Sequence, residues 1–343
     1  MINAAIVGLG RWGRSLVTSI QGKSTRLRFV HGVSKEPDLA GDFATEHGLR
    51  LSTEFEDAVA DPQVQAVFLA TPHSLHVAQV IAAAKTGKPV WCEKPLALTR
   101  ADAQRAVDAC RAVGVPLGSG NNKRCFASMR ELKHVVDSGT LGDILHIEGH
   151  FTNEHSTRVT GGWRDDPSES PAAGMTGAGL HVLDAFVNLA GPIRQVDARV
   201  FLRKAPPDPR DALAVLTEFA SGATGLMATV RAGPVYWRVH VFGTNGWAEA
   251  RDEDMLTVAP MGQAPKQHRF DHVDSLQVLV ESFADAVEGR APFLVSPAQM
   301  LDLIGAFEAV VASVEKRAPV TIDATDTAIV PGERPKGCET RNP

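Results

Sequence analysis

Residues 4–7 form a short apolar run that stops at a glycine, and the chain continues as GLGRWGRSLVTSI, with Gly8, Gly10 and Gly13 in the pattern G-x-G-x-x-G. With 30 glycines among 343 residues, the pattern carries weight only through its setting. That setting is restrictive. Over 12–20, Trp12, Leu16, Val17 and Ile20 recur at helical spacing, and a second apolar run, 27–33, lies about 20 residues beyond the glycines. Strand, glycine turn, helix and strand form the unit that cradles a dinucleotide. Gly8 permits the tight turn, Gly10 lets a pyrophosphate approach bare backbone, and Gly13 lets the helix pack closely on the strand with its N-terminus facing the anion. A plain left-handed turn is the competing reading, and the flanking strand and helix weigh against it.

The alternation continues. Helices are predicted over 38–47, 55–60 and 76–86 and strands over 66–70 and 90–92; Thr99 caps a helix running to 113, and a strand over 116–118 closes the series. Such alternation implies a parallel sheet covered on both faces, hence an α/β, doubly wound Rossmann domain over residues 1–121. After Asn121 the rhythm changes. One amphipathic helix, 129–138, leads into strand patterns at 144–151, 196–201, 212–219, 224–231, 236–243 and 246–250, separated by glycine or proline turns, and two helices, 275–288 and 296–316, come last. Clustered strands predict an α+β second domain, 122–330, built on a mainly antiparallel sheet. The polar tail, 331–343, is expected to be disordered.

Charge narrows the partner classes. Lys plus Arg total 35 against 40 Asp plus Glu, a net charge of -5, which gives no electrostatic footprint for nucleic acid or an anionic membrane. Cys92, Cys110, Cys125 and Cys338 are far apart without a C-x-x-C pair, so neither a metal site nor a disulfide framework is indicated, and they read as reduced thiols. Met1 runs almost directly into the first strand, and no stretch of about 18 uncharged apolar residues follows. A cytoplasmic location is the expectation.

The end of the second strand bears on the choice of nucleotide. An NAD site commonly places Asp or Glu there for the ribose 2′-hydroxyl, whereas this chain has Ser34 and Lys35. A carboxylate repels a 2′-phosphate; a hydroxyl and an ammonium hold one. NADP is therefore favoured, with NAD the alternative if Lys35 is only a solvated loop lysine.

Three later strings are ATPHSLHVAQVIAAAKTGKPVWCEKPLALT (70–99), NNKRCFASMRELKHVVDSGTLGDI (121–144) and GMTGAGLHVLDAF (174–186). Together with the glycine turn they resemble, in order and spacing to about Pro319, the glucose-fructose oxidoreductase, inositol dehydrogenase and MocA (Gfo/Idh/MocA) family. The resemblance implies a Rossmann domain followed by an α/β domain whose open sheet forms the substrate pocket and commonly a subunit interface, hence a homo-dimer or homo-tetramer. It implies hydride transfer between a nicotinamide and a carbinol or carbonyl carbon of a sugar, sugar acid, cyclitol or cyclic diol. By the same resemblance, Lys94 of Glu93-Lys94-Pro95 matches the catalytic lysine and His181 the histidine of a second motif. Thr71, Pro72, His76, Glu93 and Pro95 match positions around the nicotinamide, joined by Arg11 and Trp12 of the turn, and Arg124 matches an arginine at the domain junction. Gly177 stands where many members carry an aspartate.

The residues support that chemistry in their own right. Oxidising an alcohol needs a group to take the hydroxyl proton, and reduction needs one to donate it. A desolvated lysine at the carboxyl end of a parallel strand, beside a cationic ring, exchanges protons near neutrality; a surface lysine paired with Glu93 is the rival reading. His181 lies among Leu180, Val182, Leu183 and Phe186, where packed core histidines are common, but Gly174, Gly177 and Gly179 permit close approach to a ligand. Asp184, three residues on, is near the same helix face and either orients it or caps something unrelated. Besides Lys94, His181 and Asp184, the substrate candidates are Asn122, Asn153, His155, Trp163 and Arg164, with Trp163 stacking on a sugar or simply packing and Arg164 donating to hydroxyls or a carboxylate. His73 and His76 are expected to cap or pack. Two alternatives stand beside a dehydrogenase: a glycosidase or epimerase that retains its nicotinamide, and a non-catalytic dinucleotide- and sugar-binding regulator. Presence of both Lys94 and His181 weighs against the regulator.

Overall fold

A computed structural model describes residues 1–154, 162–202 and 212–322; the tail 331–343 and His155 lie outside the described residues. Strand β1 (Ile2–Val7), helix α1 (Arg11–Ile20) and strand β2 (Leu27–Val33) make the opening unit. β1 is buried along almost its whole length, as a central parallel strand covered on both faces must be. Gly8 turns the chain with φ +96°, and a Cβ there would stand 2.6 Å from the Ala70 carbonyl oxygen. A Cβ on Gly13 would overlap the Gly8 carbonyl oxygen, so α1 packs on the turn with no space for a methyl group.

Helix α2 (Pro37–Glu46), β3 (Arg50–Ser52), α3 (Phe55–Ala60), β4 (Ala66–Leu69), α4 (His73–Lys85), β5 (Val90–Cys92), α5 (Arg100–Val113) and β6 (Leu117–Ser119) complete a six-stranded parallel sheet in the order β3-β2-β1-β4-β5-β6. The strand order reverses between β1 and β4, and the crevice beyond their carboxyl ends is where sheets of this kind hold ligands. Thr99 caps α5 as expected, its hydroxyl accepting from the Asp102 amide. β3 is an addition to the predicted elements: its three residues, RLS, are too few and too polar to show a period.

The second body begins with α6 (Ala127–Asp137), β7 (Ile144–Thr152), the short α7 (Pro171–Gly174) and α8 (Gly179–Ala190). Strands β8 (Ile193–Phe201), β9 (Ala212–Phe219), β10 (Thr224–Val230), β11 (Tyr236–Gly243), β12 (Gly246–Arg251), β13 (Met255–Pro260) and β14 (Lys266–Arg269) follow, then α9 (Ser275–Val287), α10 (Pro297–Lys316) and β15 (Val320–Thr321). The nine strands stand in the order β14-β13-β12-β11-β7-β10-β9-β8-β15, antiparallel except where β7 pairs with β10. Alternate residues such as Val215, Met227 and Val239 face a core shared with Phe186 of α8 and Phe307 of α10. The opposite face carries Leu216, 58% exposed, with Leu226 and Phe242 half-buried. β13, β14 and β15 were not predicted; β14, KQHR, is wholly exposed, and β15 has two residues.

Both last helices return to the first sheet. Leu279, Val280 and Phe283 of α9 share a buried cluster with Phe29, Phe68 and Trp91, in which Phe68 stacks on Trp91 at 5.3 Å and meets Phe283 edge-on at 5.6 Å. Met300, Leu301 and Ile304 of α10 close over α4 and α5, while Leu303 and Phe307 face the second core. By length and composition alone α10 would reach across a bilayer; here it is a core helix wedged between two sheets.

Candidate active site

The start of α1, the segments following β4, β5 and β6, and the stretch leading into α8 enclose a cavity of about 330 Å³. Of the expected residues, Arg11, Trp12, Thr71, His76, Glu93, Lys94, Asn122, Asn153, Arg164 and His181 line it, and so does Gly177. Two halves of the chain therefore meet at one hollow.

Lys94 is its chemical centre. The residue follows β5, and its Nζ donates to the Thr176 carbonyl at 2.8 Å across the cavity. Burial destabilises the ammonium and brings its pKa down to about 8; Glu93 opposes this, while Arg164 and Arg11 add to it. Glu93 is buried, and its carboxyl accepts from the Trp91 indole at 3.3 Å. Desolvation raises its pKa, against the Trp12 and Trp91 indoles and the Lys94 charge. His76 braces the segment from beneath, donating from Nδ1 to the Pro95 carbonyl at 2.7 Å with Nε2 3.1 Å from the Thr71 carbonyl. It positions the Lys94 loop. The Lys94-Pro95 peptide bond is cis.

His181 stands on the first turn of α8, 6% exposed, with its ring edge-to-face on Phe151 at 5.7 Å. Burial drives its pKa well below the ordinary value, and the Lys94 and Lys123 charges push the same way, so the ring is neutral. A neutral imidazole beside a lysine that titrates near pH 8 is able to orient a hydroxyl or share its proton. Burial also lowers His73, to about 3; its Nδ1 donates to the Glu169 carbonyl at 2.7 Å.

The glycine turn fits a dinucleotide. Gly10 is the N-cap of α1 with no side-chain cap, the first turn carries no acid, and a Cβ at Gly10 would meet nothing within 4 Å. The free amides of that turn and the Arg11 cation suit a pyrophosphate. At the end of β2, Ser34 Oγ accepts from the Glu36 amide, and Lys35, 72% exposed, pairs with Glu54 at 2.6 Å. A 2′-phosphate there would compete with Glu54 for the ammonium.

Asp184, Arg124 and Trp163 stand outside the cavity lining. Asp184 is 2% exposed and held by Arg124 through contacts of 2.8–3.1 Å, the second of its two readings, a role away from His181. Arg124 spends its remaining donors on Asn188, Gln299 and the Leu294 carbonyl, so the pair is a buried clamp joining the 3-10 turn Asn122–Cys125 to α8 and α10, away from the cavity lining. Trp163 is likewise outside the lining; its ring meets His73 edge-on at 4.8 Å and lies under Arg164 at 4.1 Å. Pro72 precedes α4 as its N-cap, and Asn122, within the lining, donates to Ser275 Oγ at 2.9 Å.

Lys123, Thr176, Arg231 and Glu253 also line the cavity and were not singled out in the sequence. Thr176 contributes a carbonyl, which no side-chain pattern announces. Lys123 was within reach, since it adjoins Arg124 directly after the last strand of the first sheet.

Two family descriptions match the sequence: an oxidoreductase family with an NAD-binding Rossmann fold (GFO_IDH_MocA) over residues 2–121, and the GFO/IDH/MocA C-terminal domain over 129–249. An uncharacterized oxidoreductase of Streptococcus pneumoniae is 32% identical over 192 residues, 56% of this chain and about half, 51%, of its own length. The 1,5-anhydro-D-fructose reductase of Ensifer adhaerens is 29% identical over 292 residues, covering 78% of this chain and 83% of the relative. Levoglucosan dehydrogenase, solved with NADH and levoglucosan, superposes with a TM-score of 0.84 at 22% identity over 94% of this chain and 99% of that one; at that identity the likeness concerns the fold. With Arg11 and Trp12 of the glycine turn, Lys94 after β5 and His181 on α8 lining one cavity, and both halves matched by the same family, the chain belongs to the Gfo/Idh/MocA oxidoreductases.

Proposed function

We propose that the protein is an NAD(P)-dependent oxidoreductase acting on a carbinol or carbonyl carbon of a sugar-like substrate, with Lys94 as acid and base and His181 assisting. The observation that carries this is Lys94 itself: an amine inside a cavity, tied to a backbone carbonyl at 2.8 Å and brought down to about pKa 8 by burial. The nicotinamide, when bound, supplies or accepts the hydride. Neutral Lys94 takes the hydroxyl proton during oxidation; protonated Lys94 returns it during reduction. His181, neutral, holds the reacting oxygen, and the Gly8–Gly13 turn with Arg11 holds the pyrophosphate. Ser34 and Lys35 favour NADP over NAD.

The names of two similar proteins point to sugar derivatives, an anhydrofructose and levoglucosan. The mixed apolar face with Leu216, Leu226 and Phe242 supports a homo-oligomer through the nine-stranded sheet. Three buried free thiols, Cys92, Cys110 and Cys125, support a cytoplasmic location.

The test is a panel of polyols, sugars and dihydrodiols with NAD⁺ and NADP⁺, followed by nicotinamide absorbance and repeated with Lys94→Ala. Hydride transfer is expected to fall about 10²–10⁴-fold in the variant while dinucleotide affinity is retained. Turnover unaffected by the substitution removes Lys94 from the chemistry.

A further inference from the structure

Lys123 and Arg164 border the cavity with no ion pair among the described residues. Lys123, in the 3-10 turn after β6, holds its Nζ 4.4 Å from the ring centroid of Phe126, 4.2 Å from that of Phe151 and 5.0 Å from that of Trp237. Arg164 holds its guanidinium over Trp163. Among the described residues neither side chain has a hydrogen bond or an ion pair.

The neighbouring charges are differently placed. Arg231 pairs with Asp165 at 2.7 Å, Lys94 is bound to Thr176, and Arg11 stands at the N-terminus of α1 with the pyrophosphate cradle. Glu253, the acid nearest in effect to Lys123, has a side chain 52% exposed and lies 3.7 Å from His272. Solvent therefore weakens its hold on the amine.

Aromatic faces stabilise an ammonium but offer its N–H groups no acceptor. A desolvated cation in that state favours an anionic partner, and burial here pushes Lys123 down to about 7. Carbon-rich walls with a cation among them suit a ligand that has a sugar-like body and one acidic group.

We propose that Lys123, assisted by Arg164, reads a carboxylate on the substrate, so that the cavity takes polyhydroxy acids in preference to neutral polyols or sugars of the same skeleton. This rests on the oxidoreductase reading above and narrows its substrate class.

The test is calorimetric titration of the full-length protein, loaded with reduced dinucleotide, with matched pairs: D-gluconate against D-glucitol, and D-glucuronate against D-glucose. Each acid is expected to bind about 10-fold or more tightly than its neutral partner. That ratio collapses in Lys123→Met, is kept in Lys123→Arg, and shrinks in the wild type as pH rises through about 7 and the amine loses its charge. Acids that bind no better than their partners, acids that do not bind, or a ratio that survives Lys123→Met overturn the proposal. Should Lys123→Met fail to fold, the wild-type ratio and its pH dependence decide. Failure of the oxidoreductase reading is seen elsewhere, in absent turnover or an unaffected Lys94→Ala, and leaves this binding comparison interpretable.

Discussion

Replacing Gly10 and Gly13 separately by alanine should pull apart two functions of one turn. At Gly13 the added methyl overlaps the Gly8 carbonyl oxygen, lies 3.0 Å from the carbon behind it and 3.5 Å from Ile6 Cγ1. The first two are backbone atoms and cannot swing aside, so α1 has to move, disturbing Leu16, Val17 and Ile20, which are fully buried. Overpacking of this kind costs about 1–3 kcal/mol or more, and each kcal/mol lowers the melting temperature by about 2–4 °C in a domain of this size class. Gly10 is different. Its φ of -72° and ψ of -172° suit any L residue, and its methyl would meet nothing within 4 Å. The loss of a favoured N-cap residue and the gain from a stiffer unfolded chain offset each other to within about 1 kcal/mol. Yet that methyl stands where a pyrophosphate would reach the amides of α1. Losing one such charge-assisted bond, about 1.5–3 kcal/mol, weakens dinucleotide binding about 10–100-fold. Thermal melting and titration of tryptophan fluorescence with NADPH read the two effects separately. Gly10→Ala should melt like the wild type and bind poorly, and Gly13→Ala should melt low. Wild-type affinity in Gly10→Ala, or wild-type melting in Gly13→Ala, refutes the reasoning.

Because the base form of Lys94 is the neutral amine, kcat/KM for oxidation should rise with pH through about 8 and level off, and the reductive direction should fall over the same range; a flat oxidative profile counts against Lys94 as base. Asp184→Asn leaves the buried Arg124 cation without its carboxylate and should cost about 3–5 kcal/mol in chemical denaturation. A loss below about 1 kcal/mol would class the pair with surface salt bridges. Lys35→Ala should weaken NADP far more than NAD; equal losses reject the 2′-phosphate assignment.

Elements with a strong period were legible in the sequence. The ranges for β2, α3, β5, β9 and β11 agree residue for residue with the structure, since each combines a clear apolar pattern with sharp flanking turns. β3, β14 and β15 escaped because short, polar edge strands are held by a neighbour's backbone rather than by their own side chains. The candidate site divides in the same way. Lys94, His181 and the glycine turn announced themselves through local motifs, whereas the partner of Asp184 lies 60 residues away at Arg124, a contact that sequence spacing does not announce. Lys123 gains its character from Phe126, Phe151 and Trp237, three rings brought together only by the fold.

The seam between α9 and the first sheet bears on how the chain matures during synthesis. Leu279, Val280 and Phe283 are fully buried against a cluster that includes Phe68 and Trp91, and burial of such side chains contributes about 1.5–3 kcal/mol each. A nascent polypeptide that has emerged only to Asn121 lacks these plugs, and one flank of its sheet stays wet until the ribosome has delivered α9. The dinucleotide-binding segment is translated well before the helix that seals it.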